Sequence, residues 1–234
     1  MLSKVIGIIS YFPDDEPKRT HRIEKLKKLI SSCDKFFSLP IIIIAQNWPE
    51  DLFADRQDIT LYKYDKPLYI TGARKELRKK FLDLDYDYLI MLDDDSELVG
   101  TEADKYLAFI DRHPDCWISI NYTKSLLKLF AISKTIFRQV DFDDNTIELG
   151  GAVEDKELHA KLIYNFKSAG REFPKLDFKD ISLPTDDPDS TWQWRFDANL
   201  KQQVYQSTLE IIDRYNSNRD IVKNILKNLR NNKE

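Results

Sequence analysis

The sequence predicts an α/β fold: a mostly parallel sheet with flanking helices, followed by a helical C-terminal extension. Three observations predict it. Short apolar runs of strand length, rich in isoleucine, recur at Lys4–Phe12, Leu39–Ala45 and Tyr88–Leu92. Segments with apolar residues at helical spacing separate them. The resulting β-α-β-β-α-β order implies parallel strands joined by helices packed on the sheet.

Each element has its own local reason. Lys4–Phe12 (KVIGIISYF) is short, β-branched and stopped by Pro13, as a buried strand should be. Arg19–Cys33 reads as an amphipathic helix. Ile23, Leu26, Leu29 and Ile30 form its apolar face, and Arg22, Lys25, Lys27 and Lys28 lie around them. Leu39–Ala45 (LPIIIIA) is continuously apolar, the pattern of a parallel strand covered on both faces. Ile59–Tyr64 is a third strand. Gly72–Leu82 is a second helix, with Ala73, Leu77 and Phe81 at helical spacing, and Tyr88–Leu92 is a fourth strand. Beyond it, Glu102–Arg112 reads as a helix and Cys116–Asn121 as a strand. Leu126–Ile132 reads as a strand leading into a short helix at Ser133–Arg138. Asp141–Gly151 is acidic and loop-like. Glu154–Ala169 is a helix with Leu158, Leu162, Ile163 and Phe166 on one face, and Gly170 is suited to end it. Phe173–Phe196, rich in Asp, Pro and Trp, reads as a long loop or flap. Ala198–Tyr215 and Arg219–Leu229 read as terminal helices.

Composition narrows the function. The 234 residues are 42% hydrophobic and 32% charged, which excludes a disordered or collagen-like chain. Lys+Arg 36 against Asp+Glu 40 gives a formal net charge of −4, which argues against general electrostatic binding to nucleic acid or membrane. Residues 18–35 and 219–234 are locally basic, so peripheral contact with an anionic lipid surface stays open. Two cysteines, Cys33 and Cys116, make neither a disulfide framework nor a four-cysteine zinc site. No segment reaches the ~18–20 apolar residues needed to span a bilayer, and the N-terminus lacks a signal-peptide pattern. A cytoplasmic protein is the expectation.

Polar residues gather where the apolar strands end: Ser10-Tyr11, Gln46-Asn47 and Asp93-Asp94-Asp95. Parallel sheets bind ligands beyond these carboxyl ends. Three adjacent carboxylates repel one another unless a cation compensates. A hard divalent ion such as Mn²⁺ or Mg²⁺ takes oxygen ligands, and one held by one or two carboxylates keeps positions open for a diphosphate. The competing reading is a solvated acidic turn. Gly72-Ala73-Arg74 opens the second helix. Its glycine admits close backbone approach, its N-terminal amides favour an anion, and Arg74 adds a fork of donors. Glu154 and Asp155 follow Gly150-Gly151 at a helix start. They suit either the helix dipole or the role of general base toward a hydroxyl. Trp192 and Trp194, in the flap, offer aromatic faces for stacking on a sugar ring or plugs for the core.

In their order along residues 4–170, these features resemble the GT-A fold, family-two-like glycosyltransferases. The resemblance implies a Rossmann-like GT-A domain over residues 1–197. Its nucleotide-sugar half would span about 1–100 and its acceptor half about 101–197, with residues 198–234 as the extension. It implies that Ser10 and Tyr11 sit at the nucleobase and that Gly72 and Arg74 contact the nucleotide. Asp93 would meet the ribose or the metal, Asp94 would lie in the nucleotide-sugar site, and Asp95 would hold the metal that bridges the diphosphate. Asp155, with Glu154 beside it, would be the catalytic base. Trp192 and Trp194 lie beyond the resemblance and are acceptor candidates on the chemistry of their rings alone. The sequence departs from the pattern at Gln46-Asn47, where the family has acids that read the base; an amide could pair there in their place. Lys75 stands where the family has Asn after Ala-Arg.

The activity implied is metal-dependent transfer of a sugar from a nucleoside diphosphate, UDP by default, to a hydroxyl with inversion. The expected acceptor is a cell-surface glycan or glycolipid. The alternatives are a phage-type enzyme acting on modified DNA, or a carbohydrate- or protein-binding module without turnover.

Overall fold

Four consecutive isoleucines build a strand next to the sheet's edge strand. Ile41 to Ile44 are all buried because their strand is covered on both faces. The computed structural model describes residues 1–49, 52–98, 103–119, 129–142, 154–171 and 182–184; at 119, 154–156, 159, 166–167 and 182–184 it describes the backbone alone. The expected terminal helices, the extension 198–234 and most of the flap lie outside the described residues.

β1 (Lys4–Tyr11) is the central strand. It pairs in parallel with β2 (Ile41–Gln46) on one side and β4 (Tyr88–Asp93) on the other, and β2 pairs in parallel with β3 (Ile59–Tyr64). β7 (Leu129–Ser133) runs antiparallel to β4, and β6 (Trp117–Ser119) antiparallel to β7. The six-stranded order is β3-β2-β1-β4-β7-β6, so the sheet is α/β and mostly parallel, with an antiparallel flank.

The first two helices are longer than their sequence patterns. α1 runs Glu16–Phe36 and begins three residues before the expected Arg19. Pro17 sits in its first turn, where a missing N–H is harmless, so a residue that looks like a breaker is a starter. Leu26, Leu29, Ile30 and Cys33 of α1 are buried as expected. Arg22 and Lys25, expected at the rim, are buried as well. α2 runs Tyr69–Asp83, so Gly72 lies inside its first turn and not at its opening. A Cβ on Gly72 would stand 3.3 Å from the Leu68 Cβ.

Right-handed connections set the two faces. The chain leaves β1 for β2 through α1 and returns from β3 to β4 through α2, so the two helices cover opposite faces. α2 sits very close to β1. A Cβ on Gly7 would lie 2.7 Å from Leu89 Cδ1 and 2.9 Å from both terminal carbons of Leu77, an α2 residue.

Three short strands qualify the expectations. β5 (Ser96–Leu98) and β8 (Ser182–Pro184) pair antiparallel as a small second sheet, so residues 182–184 of the expected loop form a strand. β7 ends at Ser133, whose hydroxyl accepts the Ile136 N–H and caps the short α4 (Lys134–Phe137). α3 (Ala103–Arg112) and α5 (Glu154–Ser168) form where expected, with Gly170 at φ 65° just beyond α5. Both cysteines are free and buried. Burial pushes the thiols up, Cys33 to about 12 and Cys116 to about 11, which leaves them protonated and inert. Among the described residues no helix is long and apolar enough to cross a membrane.

Candidate functional site

The strand order reverses between the parallel neighbours β1 and β4, and the carboxyl ends of those strands bound the crevice where such sheets take ligands. Strand register sorts the residues there into two sets. Residues partnered across a parallel pair project to the same face, and successive residues along a strand project to opposite faces. Gly7 faces α2, so Ile9 and Tyr11 do too. Asp93 is level with Ile9, Gln46 with Tyr11, and Tyr64 with Gln46.

The α2-facing row is tied to α2 at three points. The Tyr64 hydroxyl donates to Glu76 Oε2 at 2.7 Å. Gln46 Oε1 accepts the Leu68 N–H at 2.6 Å, just ahead of the helix. Arg74 Nη2 donates to Asp93 Oδ1 at 3.1 Å, with the Arg74 side chain only 8% exposed. Gln46 is therefore a strut for the α2 N-terminus. Its neighbour Asn47 has a left-handed φ of 51°, which Asn tolerates better than most residues. The Asn47 amide donates to Phe12 O at 2.7 Å and Asp14 Oδ1 at 2.8 Å, joining the loop after β1 to the end of β2.

Ser10 and Asp94 form the other set, on the α1 side. Ser10 Oγ donates to Asp94 Oδ2 at 2.8 Å, and Arg22 Nη1 donates to Asp94 Oδ1 at 3.1 Å. Both residues were expected at the nucleotide; they are bonded to each other. Burial pushes the Asp94 carboxyl up to about 6. The Arg22 guanidinium opposes that rise, the charge of Asp95 adds to it, and the Ser10 hydrogen bond opposes it.

Arginine thus supplies cations at two of the three carboxylates: Arg74 at Asp93 and Arg22 at Asp94. The charge of the triplet does not by itself call for a metal. The donor set still fits one. Asp93 and Asp95 are half-buried, hard oxygen ligands at a strand end, and Mg²⁺-type sites commonly use one or two carboxylates plus substrate phosphates. Among the described residues, no group of three or more His, Cys, Asp or Glu side chains is arranged to hold an ion.

Glu154 and Asp155 are the first two residues of α5. Their side chains, together with Trp192 and Trp194, lie outside the described residues. The residue that sequence reasoning missed is Arg22. It shares a buried stripe with Leu26, Leu29 and Cys33, and a cation on an apolar stripe is itself the signal of a buried counter-charge.

No family model matches the sequence, and neither does any curated protein sequence. Solved structures do match in fold. S. aureus TarS superposes with a TM-score of 0.56 at 13% identity, over 90% of this chain and 43% of that one. TarS 1–349 in complex with UDP-GlcNAc gives 0.57 at 11% identity, over 87% of this chain and 65% of that one. TarS 1–349 in complex with UDP gives 0.57 at 13% identity, over 92% and 72%. This chain therefore spans under half of that TarS chain and shares the fold of those structures.

Proposed function

We propose that this chain transfers a sugar from a nucleoside diphosphate sugar to an acceptor hydroxyl, with the donor at the carboxyl edge between β1 and β4. The observation that carries the reading is the meeting of Arg74 and Asp93 at that edge, on the face that Tyr11 shares. The fold is one in which TarS has been solved with UDP and with UDP-GlcNAc, which makes a UDP-sugar the first donor to test.

In this reading Tyr11 stacks on the base, and Arg74 donates to the nucleotide. Asp93 and Asp95 hold Mn²⁺ or Mg²⁺. When bound, the cation neutralises charge on the departing diphosphate. Asp155, with Glu154 beside it, takes the proton of the acceptor hydroxyl. The freed oxygen forms the new bond to the anomeric carbon, and the bond to the diphosphate breaks with its electron pair leaving on phosphate. Configuration inverts. Trp192 and Trp194 stack on the acceptor, for which a glycan or glycolipid is the first choice.

UDP release from UDP-GlcNAc and other UDP-sugars, with Mn²⁺ and with EDTA, tests the proposal. Turnover that needs metal and is lost in Asp95→Ala is expected. Asp155→Asn should keep donor binding and lose transfer. If no sugar nucleotide raises the melting temperature in either condition, the donor site does not exist. Binding without turnover on any acceptor would leave the non-catalytic module. Transfer confined to hydroxymethylated DNA would identify the phage-type alternative.

A further inference from the structure

α1 grips the segment that carries the acidic triplet at two places. At one, Arg22 Nη1 reaches Asp94 Oδ1 at 3.1 Å, with side chains 10% and 13% exposed. At the other, Ser32 Oγ, one helical stripe further along, accepts the Leu98 N–H at 3.2 Å where β5 ends. Between these points the chain turns through Asp94 and Asp95. Asp94 has Ser10 on one oxygen and Arg22 on the other, so both are held on the α1 side. Asp93 is bonded to Arg74 on the α2 side. One triplet is thus split between two helices on opposite faces of the sheet.

We infer that Arg22 is a positioning residue for the donor site: by holding Asp94 against Ser10 on the α1 side, it fixes the turn that presents Asp93 and Asp95 to a metal-bound diphosphate. The inference rests on the donor-site reading above and assigns Arg22 no contact with the donor. The pleat sends Asp93 and Asp94 to opposite faces, but past the end of β4 nothing within the triplet itself fixes the turn. Repulsion alone would let all three carboxylates turn to water. A hold on both oxygens of the middle one, by Arg22 from α1 and Ser10 from β1, with α1 also anchoring the far end of the segment, removes that freedom. A positioning residue is needed here because a site with two carboxylates has little tolerance for a shifted turn.

Calorimetric titration with UDP tests this, in Mn²⁺ and in EDTA. Wild-type protein should bind UDP more tightly in Mn²⁺. Arg22→Ala should lose that advantage by tenfold or more while its affinity in EDTA stays within twofold of wild type. Arg22→Lys should recover part of the loss. Asp94→Asn, which keeps a hydrogen-bonding partner for Ser10, should show the same selective loss. The Arg22→Ala/Asp94→Asn double variant should be no worse than the worse single one, because both act through one contact. Wild-type Mn²⁺-dependent affinity in Arg22→Ala overturns the inference; so does equal loss in both conditions, which marks a purely structural ion pair. If Arg22→Ala lacks a native circular dichroism spectrum, Asp94→Asn decides by the same criteria. Wild-type protein that binds no UDP in either condition overturns the donor site itself, an outcome distinct from any behaviour of the variants.

Discussion

Arg74 and Asp93 are 19 residues apart in the sequence and 3.1 Å apart in space, and the register of the sheet explains why. β4 pairs with β1 so that Asp93 is level with Ile9, on the face against which α2 packs through Gly7. Arg74 lies in the second turn of α2, whose N-terminus Gln46 fixes through the Leu68 N–H. Strand β1 thus sets the height of Asp93, and β2 sets the position of the helix that meets it.

Arg74→Ala is accordingly expected to weaken UDP binding by about tenfold or more, a change of about 1.4 kcal/mol for each tenfold. Arg74→Lys should fall between, since an ammonium keeps the charge and loses the fork. Titration calorimetry reads both. A drop in melting temperature with unchanged UDP affinity would reduce Arg74 to a structural partner of Asp93.

Gly7 is required by packing. Its neighbours Leu77 and Leu89 are both buried, so the leucine methyls that a new Cβ would strike cannot swing into solvent. Gly7→Ala should destabilise by about 1–3 kcal/mol through overpacking. For a chain of this length each kcal/mol corresponds to roughly 2–4 °C in melting temperature. Because the strain falls on α2, UDP affinity should drop along with stability. A denaturation midpoint equal to wild type would show that α2 yields without cost.

How much of this was legible in the sequence depends on how far each signal travels along the chain. The apolar run through Ile41–Ile44 predicted a doubly covered strand, because burial on both faces leaves a continuous pattern. The ends of β1, β2 and β4 gave Tyr11, Gln46 and Asp93 as residues of one edge, and the register brings them to one face. β5 and β8 were not legible: three residues carry no period, and their partners are distant in sequence. The acidic triplet calls for a cation in the sequence, and the fold places an arginine at two of its three carboxylates. A metal and an arginine satisfy the same charge, and only the fold reveals that Arg22 and Arg74 are in reach. For Gln46 and Asn47, residue type alone does not reveal that one accepts the Leu68 N–H and the other donates to Phe12 O and Asp14.

Acid should loosen the protein at the start of β1. The Asp87 carboxylate accepts hydrogen bonds from Ser3 Oγ and the Ser3 N–H, both at 2.8 Å, which hold it below the usual carboxylate range. Partial burial raises the Asp111 carboxyl, but Lys4 Nζ at 2.6 Å and the Leu2 N–H at 2.9 Å outweigh that and leave it below the usual range too. A carboxylate with a lowered folded-state pKa contributes stability that is complete above its unfolded value of about 4. That contribution is lost as pH falls through the lower folded value. Asp94, raised to about 6, has the opposite sign. Its contribution to stability is fully present below the unfolded value and declines as pH rises through about 6. Comparison with a variant isolates the first effect. Lys4→Met removes the main partner of Asp111, so it should be less stable than wild type at pH 7. Below about pH 4 its denaturation midpoint should fall less steeply, and the two curves should converge. Urea titrations of both proteins between pH 7 and pH 3, in EDTA, give the comparison. Curves that stay parallel to pH 3 would mean that Lys4 stabilises β1 through its buried packing and its bond to Leu2 O, and not through the charge of Asp111.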